Sequence, residues 1–342
     1  MAFLMAAALA ATTITAAAQD GSPTGCPAAT VTVTSAAELR TVLAGARPGD
    51  VIAIADGTYD GDWTARTSGS PVAPIWLCGG PGAVLTNTGH AAGYGLHLAG
   101  ASWWHLYGFT VTRAKKGVMV DAAHHVTLDR LTVSEVDEEG IHLRTNTTDS
   151  LITGNRIHRT GRVHDQWGEG VYIGSAAQNW PTYTAGLPDR SDRNSVVGNV
   201  IHDTTAEPID IKEGTTGGRV TGNSLDAAAL TRAGGDSCGD VKGNGWSIVA
   251  NHCFGSTADG WQTHSKRRAG VWGLGTEFAG NIVILAGSAT GYGFKIEASA
   301  QATTTVRCDN VVHGVFANVP CTPSPPARPT VDLFLSLAGP WW

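Results

Sequence analysis

The chain has 342 residues, 44 of them glycine, with 15% charged residues and a net charge of −6. That length can bury a sizeable core, as one elongated domain or two compact ones, and the glycines with recurrent clusters of Thr, Val, Ile and Asn favour many short strands over long helices. The negative balance, with no long basic run and no nucleic-acid motif, argues against nucleic acid as a partner; an anionic ligand would need a local basic patch.

The chain opens with an apolar run, "MAFLMAAALAATTITAAAQDG", that ends in small residues, and Ala16-Ala17-Ala18 fits a signal-peptidase site before Gln19. Residues 1–18 are therefore read as a signal peptide and the protein as secreted and extracellular. No later segment is long and apolar enough to cross a bilayer, so stable membrane insertion is not expected. Cys26, Cys78, Cys238, Cys253, Cys308 and Cys321 form an even set compatible with three disulfides, with Cys238/Cys253 and Cys308/Cys321 as short-range pairs.

Residues 19–94 read as an N-terminal cap with the first coils. Ser35 and Glu38 have capping-box spacing ahead of an apolar face of Leu39, Val42 and Leu43, and "DVIAIADG" follows as a strand. From residue 95 to 321 a small or turn residue followed by an apolar–x–apolar triplet recurs at intervals of 21 to 23 residues or at longer ones that contain insertions. Examples are Gly117-Val118-Met119-Val120, Gly140-Ile141-His142-Leu143, Gly170-Val171-Tyr172-Ile173 and Pro208-Ile209-Asp210-Ile211. A second mark follows the triplets: Asn155, Asn199, Asn223, Asn251, Asn281 and Asn310, most of them after Gly. This periodicity means a solenoid, with the asparagines as an internal ladder. Residues 322–342 form a Pro-rich tail.

These features resemble the right-handed parallel β-helices of the pectin-lyase-like superfamily, and "ARPGDVIAIADGTYDG" is similar to the opening of secreted polysaccharide lyases of the family containing chondroitinase B and alginate lyases. The fold class expected is all-β: a single-stranded right-handed parallel β-helix with a short N-terminal capping helix. Stacking the triplets predicts columns. The flanking apolar residues point inward. His97, Met119, His142, Tyr172, Asp210, Asp240, Gln262 and Lys295 point outward, as do Asp121, Arg144, Gly174, Lys212, Lys242, His264 and Glu297 two residues further on, and Glu139, Glu169, Glu207 and Asp259 make an acidic edge.

The resemblance implies cleavage of a uronate polymer by β-elimination. That reaction needs a base at C5, neutralisation of the C5 carboxylate and a proton source for the leaving oxygen. In this family a calcium-binding Glu precedes the catalytic Lys by five residues, the spacing of Glu207 and Lys212. Lys242 stands where the family has an assisting Arg, a departure that loses bidentate carboxylate binding. The catalytic candidates are therefore Lys212 and Lys242, and stacking of the two lysines is expected to lower the pKa of the base. The family's second calcium-binding Glu falls on Thr205, leaving Glu207 with Glu169 and Glu139 of neighbouring coils as the calcium set. Arg144, Asp210, Asp240, His264, Trp167 and Tyr172 are the substrate-binding candidates, the partner is an acidic polysaccharide, and the protein is expected to be a monomer. The alternatives are a non-catalytic cell-surface or carbohydrate-binding β-helix and a β-helix glycoside hydrolase using Asp210 and Asp240. Two further marks are the nucleophile-elbow match "GDSCG" and a candidate metal column of His158, His202 and Asp226.

Overall fold

The computed structural model describes residues 25–87 and 93–325, so the signal-peptide reading and most of the Pro-rich tail lie outside the described residues. Three long parallel sheets run side by side, one of 11 strands beginning at Val31–Val33 and two of 10 strands beginning at Gly57–Asp60 and Thr64–Ala65. Each coil gives one strand to each sheet. One coil, for example, runs Lys116–Asp121, Thr127–Asp129, Thr132–Val136, and the chain then re-enters the sheet of its start one level up at Ile141–Arg144. The expected right-handed parallel β-helix is therefore the fold. Among the described residues, no helix is long and apolar enough to cross a membrane.

The helix Ala36–Gly45 covers the first coils. Ser35 caps it, its Oγ accepting from Glu38 N, and Leu39 and Leu43 are buried beneath it. Glu38 completes the cap one residue further out than the motif predicts: its carboxylate accepts from Thr34 N at 2.7 Å.

The corner between the first and second sheets is set by the asparagine ladder. The residue before five of the six Asn is in the left-handed region: Gly154, Gly198, Gly222 and Gly280, with Ala250 taking the same conformation at the cost that a Cβ carries there. From Asn199 on, each Asn Oδ1 accepts the backbone N–H of the Asn one coil earlier: Asn155 N to Asn199 at 2.9 Å, Asn199 N to Asn223 at 2.9 Å, Asn223 N to Asn251 at 3.0 Å, Asn251 N to Asn281 at 2.9 Å and Asn281 N to Asn310 at 2.8 Å; Asn155 Oδ1 accepts from Leu131 N at 2.8 Å. The amides donate to carbonyls of earlier coils, such as Asn223 Nδ2 to Val196 O. All are buried, so every polar atom that the bend removes from water is partnered.

Within each coil the triplet residues pack inward as expected: Val118, Val120, Ile141, Leu143, Val171, Ile173, Ile209 and Ile211 are all in the core. Disulfides join Cys26 to Cys78, Cys238 to Cys253 and Cys308 to Cys321. The Cys238 bridge also accounts for "GDSCG": Ser237–Val241 is a strand of the third sheet, with no strand-to-helix elbow.

Replacing Asn223 with Ala leaves the buried N–H of Asn199 without an acceptor and should cost about 3 kcal/mol. Urea unfolding checks this; a loss within a few tenths of a kcal/mol would mean that the ladder does not hold the coils.

Candidate functional site

The sheet from Thr64–Ala65 to Val315–Ala317 carries the site. Its register sets Met119 beside His142, His142 beside Tyr172, Tyr172 beside Asp210, Asp210 beside Asp240, Asp240 beside Gln262 and Gln262 beside Lys295. The next column follows from the same hydrogen bonds, with Lys212 N on Ile173 O, Lys242 N on Ile211 O and His264 N on Val241 O. Lys212 and Lys242 are thus neighbours one coil apart, and Gly174 stands beneath Lys212.

Two insertions turn this face into a cleft of about 750 Å3. Gln166, Trp167 and Gly234 line it at the start of the strands, and Ser175, Ala176, Gln178, Asn179 and Tyr183 line it at their ends. The second wall is held in place by Trp180, which is buried and donates from Nε1 to Ser175 O. Trp167 is 48% exposed beside His164 and presents a ring to the cleft. Tyr172 forms part of the floor, its ring edge-on to His142.

At the centre, Asp210 bridges both lysines, with Oδ2 at 2.5 Å from Lys212 Nζ and Oδ1 at 2.9 Å from Lys242 Nζ. Asp240 accepts a second bond from Lys242 at 2.8 Å and meets His264 Nε2 at 3.3 Å. Lys212 Nζ also lies 4.8 Å from the centre of the Tyr172 ring. These contacts overturn one expectation. Burial lowers both lysine pKa values, and Lys212 does lower that of Lys242, but Asp210, joined at Lys242 by Asp240, outweighs these effects and raises both above the ordinary range. Burial and then Asp210 push the Tyr172 phenol well above its usual value. In the free protein, therefore, both lysines are ammonium ions and Tyr172 is a neutral phenol.

The acidic edge behaves differently. Glu169, Glu207 and Asp210 bring carboxylate oxygens within 4.8 Å of one another, as do Glu207, Asp236 and Asp240. Burial, with neighbouring carboxylates adding to it, raises Glu207 to about 8 and Glu169 well above its usual range, and Glu169 Oε2 is buried with no hydrogen-bond partner among the described residues. Glu139, expected to join Glu169 and Glu207, is spent elsewhere. It faces Lys116 Nζ at 2.5 Å and His142 Nδ1 at 3.5 Å, and these partners offset its burial and hold its carboxyl low. Asp210 takes its place in the carboxylate group.

Arg144 is only 5% exposed. It forks onto Asp121 at 2.7 and 3.2 Å, donates to Tyr94 Oη at 3.0 Å and lies 4.0 Å from the centre of the Tyr183 ring. Burial would raise Asp121, but hydrogen bonds from His97 and Arg144 more than offset it and hold the carboxyl well below its usual range. Lys116 and Glu138, which lie outside the columns that the triplets define, pair at 2.9 Å in the same cleft. The signal for Lys116 is present in the sequence, since Lys116 precedes Gly117 as Glu139 precedes Gly140. His158 and His202 stack in parallel on another sheet with ring centres 4.9 Å apart, and no group of three metal-ligand atoms forms around them among the described residues.

The Arg144–Asp121 pair yields a stability prediction. Asp121→Asn strands a buried guanidinium and should cost about 3 kcal/mol near neutral pH. Because the folded carboxyl titrates below its unfolded value, its stabilisation is present above the ordinary carboxylate range and is lost as pH falls through the folded pKa. The gap between parent and variant in urea unfolding should therefore narrow on acidification; a gap that widens would contradict the assignment.

No family model and no curated protein matches the chain. Solved structures do. An alginate lyase from Paenibacillus sp. str. FPU-7 is 32% identical, with a TM-score of 0.78, over 84% of this chain and 98% of that one. Pectate lyase Pel9A is 15% identical with a TM-score of 0.64, over 86% of this chain and 80% of that one, which shows the fold alone. The same holds for the A-module of the Azotobacter vinelandii mannuronan C-5 epimerase AlgE4, at 14% identity and a TM-score of 0.51 over 88% and 98%. The identity and near-complete coverage of the first of these, on a coil-by-coil fold that the register reproduces, make this chain a member of the family of that alginate lyase among the pectin-lyase-like right-handed parallel β-helices.

Proposed function

We propose that the protein is a secreted polysaccharide lyase that cleaves a uronate polymer, alginate first among the substrates to test, by β-elimination. The observation that carries this reading is the pair of lysines locked side by side by Asp210 on the floor of a two-walled cleft, next to a buried phenol. Three disulfides fit an oxidising compartment outside the cell.

The roles follow from charge state and position. Lys242 is a fixed ammonium held by two aspartates, and it supplies positive charge to the uronate carboxylate so that negative charge can accumulate as C5 loses its proton. Lys212 takes that proton at Nζ. To do so it must first release one of its own to solvent, which requires the hold of Asp210 on it to weaken. Tyr172, kept as a neutral phenol, donates its proton to the departing 4-linked oxygen. The pair Asp210 and Asp240 does not suit hydrolytic acid–base work, because both are engaged by Lys212 and Lys242.

The carboxylate group at Glu169, Glu207 and Asp210 fits a hard divalent cation such as Ca2+: its donor atoms are all oxygen, burial and then neighbouring carboxylates push Glu169 and Glu207 up, and Glu169 Oε2 has no hydrogen-bond partner among the described residues. A bound Ca2+ would neutralise the substrate carboxylate and draw the negative charge of Asp210 away from Lys212. Adding Ca2+ to chelated protein should raise Tm, and Glu169→Gln should abolish that shift; a rise that survives the substitution places the cation elsewhere.

The reaction itself is read by the ultraviolet absorbance of the unsaturated product on a panel of uronate polymers. Lys212→Ala should lower kcat by about 10³-fold and Tyr172→Phe by about 10²-fold, with circular dichroism unchanged. New reducing ends without that absorbance would instead identify a hydrolase. Binding with no product from any polymer, with or without Ca2+, would identify a carbohydrate-binding protein.

A further inference from the structure

Every cation in the cleft centre is already engaged: Lys116, Arg144, Lys212 and Lys242 all sit on carboxylates. A different set stands just beyond it. The strand Asp259–Thr263 lies one coil after the strand that leads into Lys242, and its chain continues through His264 into an antiparallel hairpin of Lys266–Arg267 and Val271–Trp272. Lys266, Arg267 and Arg268 are consecutive and exposed. Among the described residues none of the three lies within ion-pair distance of a carboxylate; Glu297 at the base of the hairpin accepts from the backbone of Ser265.

The hairpin is fixed in place. Trp272 is buried against Ala177 and Trp180 of the second cleft wall, and its Nε1 donates to Arg268 O at 3.1 Å across the tip. Gly273 closes the hairpin in the left-handed region, where a Cβ would come within 2.3 Å of His264 O. The hairpin therefore continues the cleft wall toward the C-terminal end of the solenoid. Lys266 follows His264 by two residues, about 7 Å of extended chain.

We infer that the Lys266–Arg268 tip is a second binding surface for the polyuronate, engaging carboxylates of sugar units that have passed beyond Lys242 and His264. This inference rests on the uronate-polymer reading of the cleft for its ligand. A uronate polymer carries a carboxylate on every unit, and each coil advances about 4.8 Å, so a chain laid along the sheet presents carboxylates to successive levels. On a protein of net charge −6, three adjacent uncompensated cations at the mouth of an acidic-ligand cleft concentrate attraction where the polymer enters or leaves. Flexible cations at a rim act on capture and on salt dependence more than on the chemical step.

The test compares the parent with Lys266→Ser/Arg267→Ser/Arg268→Ser, with the charge-retaining Arg267→Lys/Arg268→Lys, and with Arg47→Ser/Arg156→Ser/Arg219→Ser, which removes the same charge from other parts of the molecule. Affinity electrophoresis in gels containing alginate, with dextran as the neutral control, reads binding without turnover. The hairpin triple variant should bind alginate about five-fold more weakly at low salt and with a flatter salt dependence, while the other two variants bind as the parent does. In turnover its KM for long polymer should rise by the same factor, with kcat, and KM for oligouronates short enough to lie within the cleft, unchanged. Equal retardation of parent and hairpin variant, an equal loss in the distant triple variant, or a parent that alginate retards no more than dextran does would overturn the inference. If the hairpin variant loses retardation but no polymer is ever cleaved, the lyase reading fails and this surface stands.

Discussion

The constraint on which the rest depends is coil register. A parallel solenoid has no turn of fixed length to set the pairing of one coil on the next, and a slip of one residue would send every inward side chain outward. Here the register is set at the asparagine corner. Each Asn takes the backbone N–H of the Asn before it and returns its amide to an earlier carbonyl, so the corner stacks with all its buried polar groups satisfied in one alignment. The excursions on either side of the strand Val171–Ile173 are absorbed because the chain rejoins the stack, first at that strand and then at Asn194 and Asn199, whose Oδ1 atoms accept from Ser150 N and Asn155 N of the earlier coil. The site inherits this alignment. Lys212 and Lys242 are 30 residues apart in the chain and meet on one aspartate because the ladder brings their coils together.

That dependence explains what could be read from the sequence. A repeat with a two-residue alternation and one Asn per coil reports strand faces and register directly. The outward column from Met119 through Tyr172, Asp210 and Asp240 to Lys295 is therefore legible from spacing alone. The disulfides Cys238–Cys253 and Cys308–Cys321 are legible for a similar reason, since each closes within about one coil. What spacing does not carry is the direction in which a long side chain leans. Lys212 and Lys242 share a column, which suggests mutual repulsion, but both tilt onto Asp210 in the adjoining column, and the attraction wins. Glu139 and Glu169 share the acidic edge, yet Lys116 one coil below claims only Glu139. The second wall of the cleft is set by residues to which the repeat assigns no level: Tyr183, which lies over Arg144, and Trp180 and Trp272, which pack together from separate insertions.

The distribution of charge gives the cleft two unlike halves. Toward the N-terminal coils, Lys116, Glu138, Glu139, Arg144 and Asp121 form closed pairs that are largely buried, so a ligand there meets a surface whose charges are already matched. Toward the later coils, Glu169 and Glu207 are crowded without positive partners, while Lys212 and Lys242 are tied to a single bridging aspartate. Only the second half stores charge that a ligand can rearrange. A matched pair costs its desolvation once and then stays fixed, whereas an under-neutralised group of carboxyls changes state when charge is added.

Asp210 is the hinge of that second half. It is the only residue shared by the lysine pair and the Glu169–Glu207 group among the described residues, and it can satisfy one set fully only by loosening its hold on the other. While it bridges the lysines, both are held as ammonium ions suited to gripping an anion, and neither is suited to removing a proton. Whatever draws its negative charge toward the glutamates weakens that hold, and Lys212, whose only ion pair among the described residues is with Asp210, is released further than Lys242, which keeps Asp240. One shared carboxylate thus makes two chemically identical side chains unequal. The lysine with one anchor can become the base, and the lysine with two stays charged beside it.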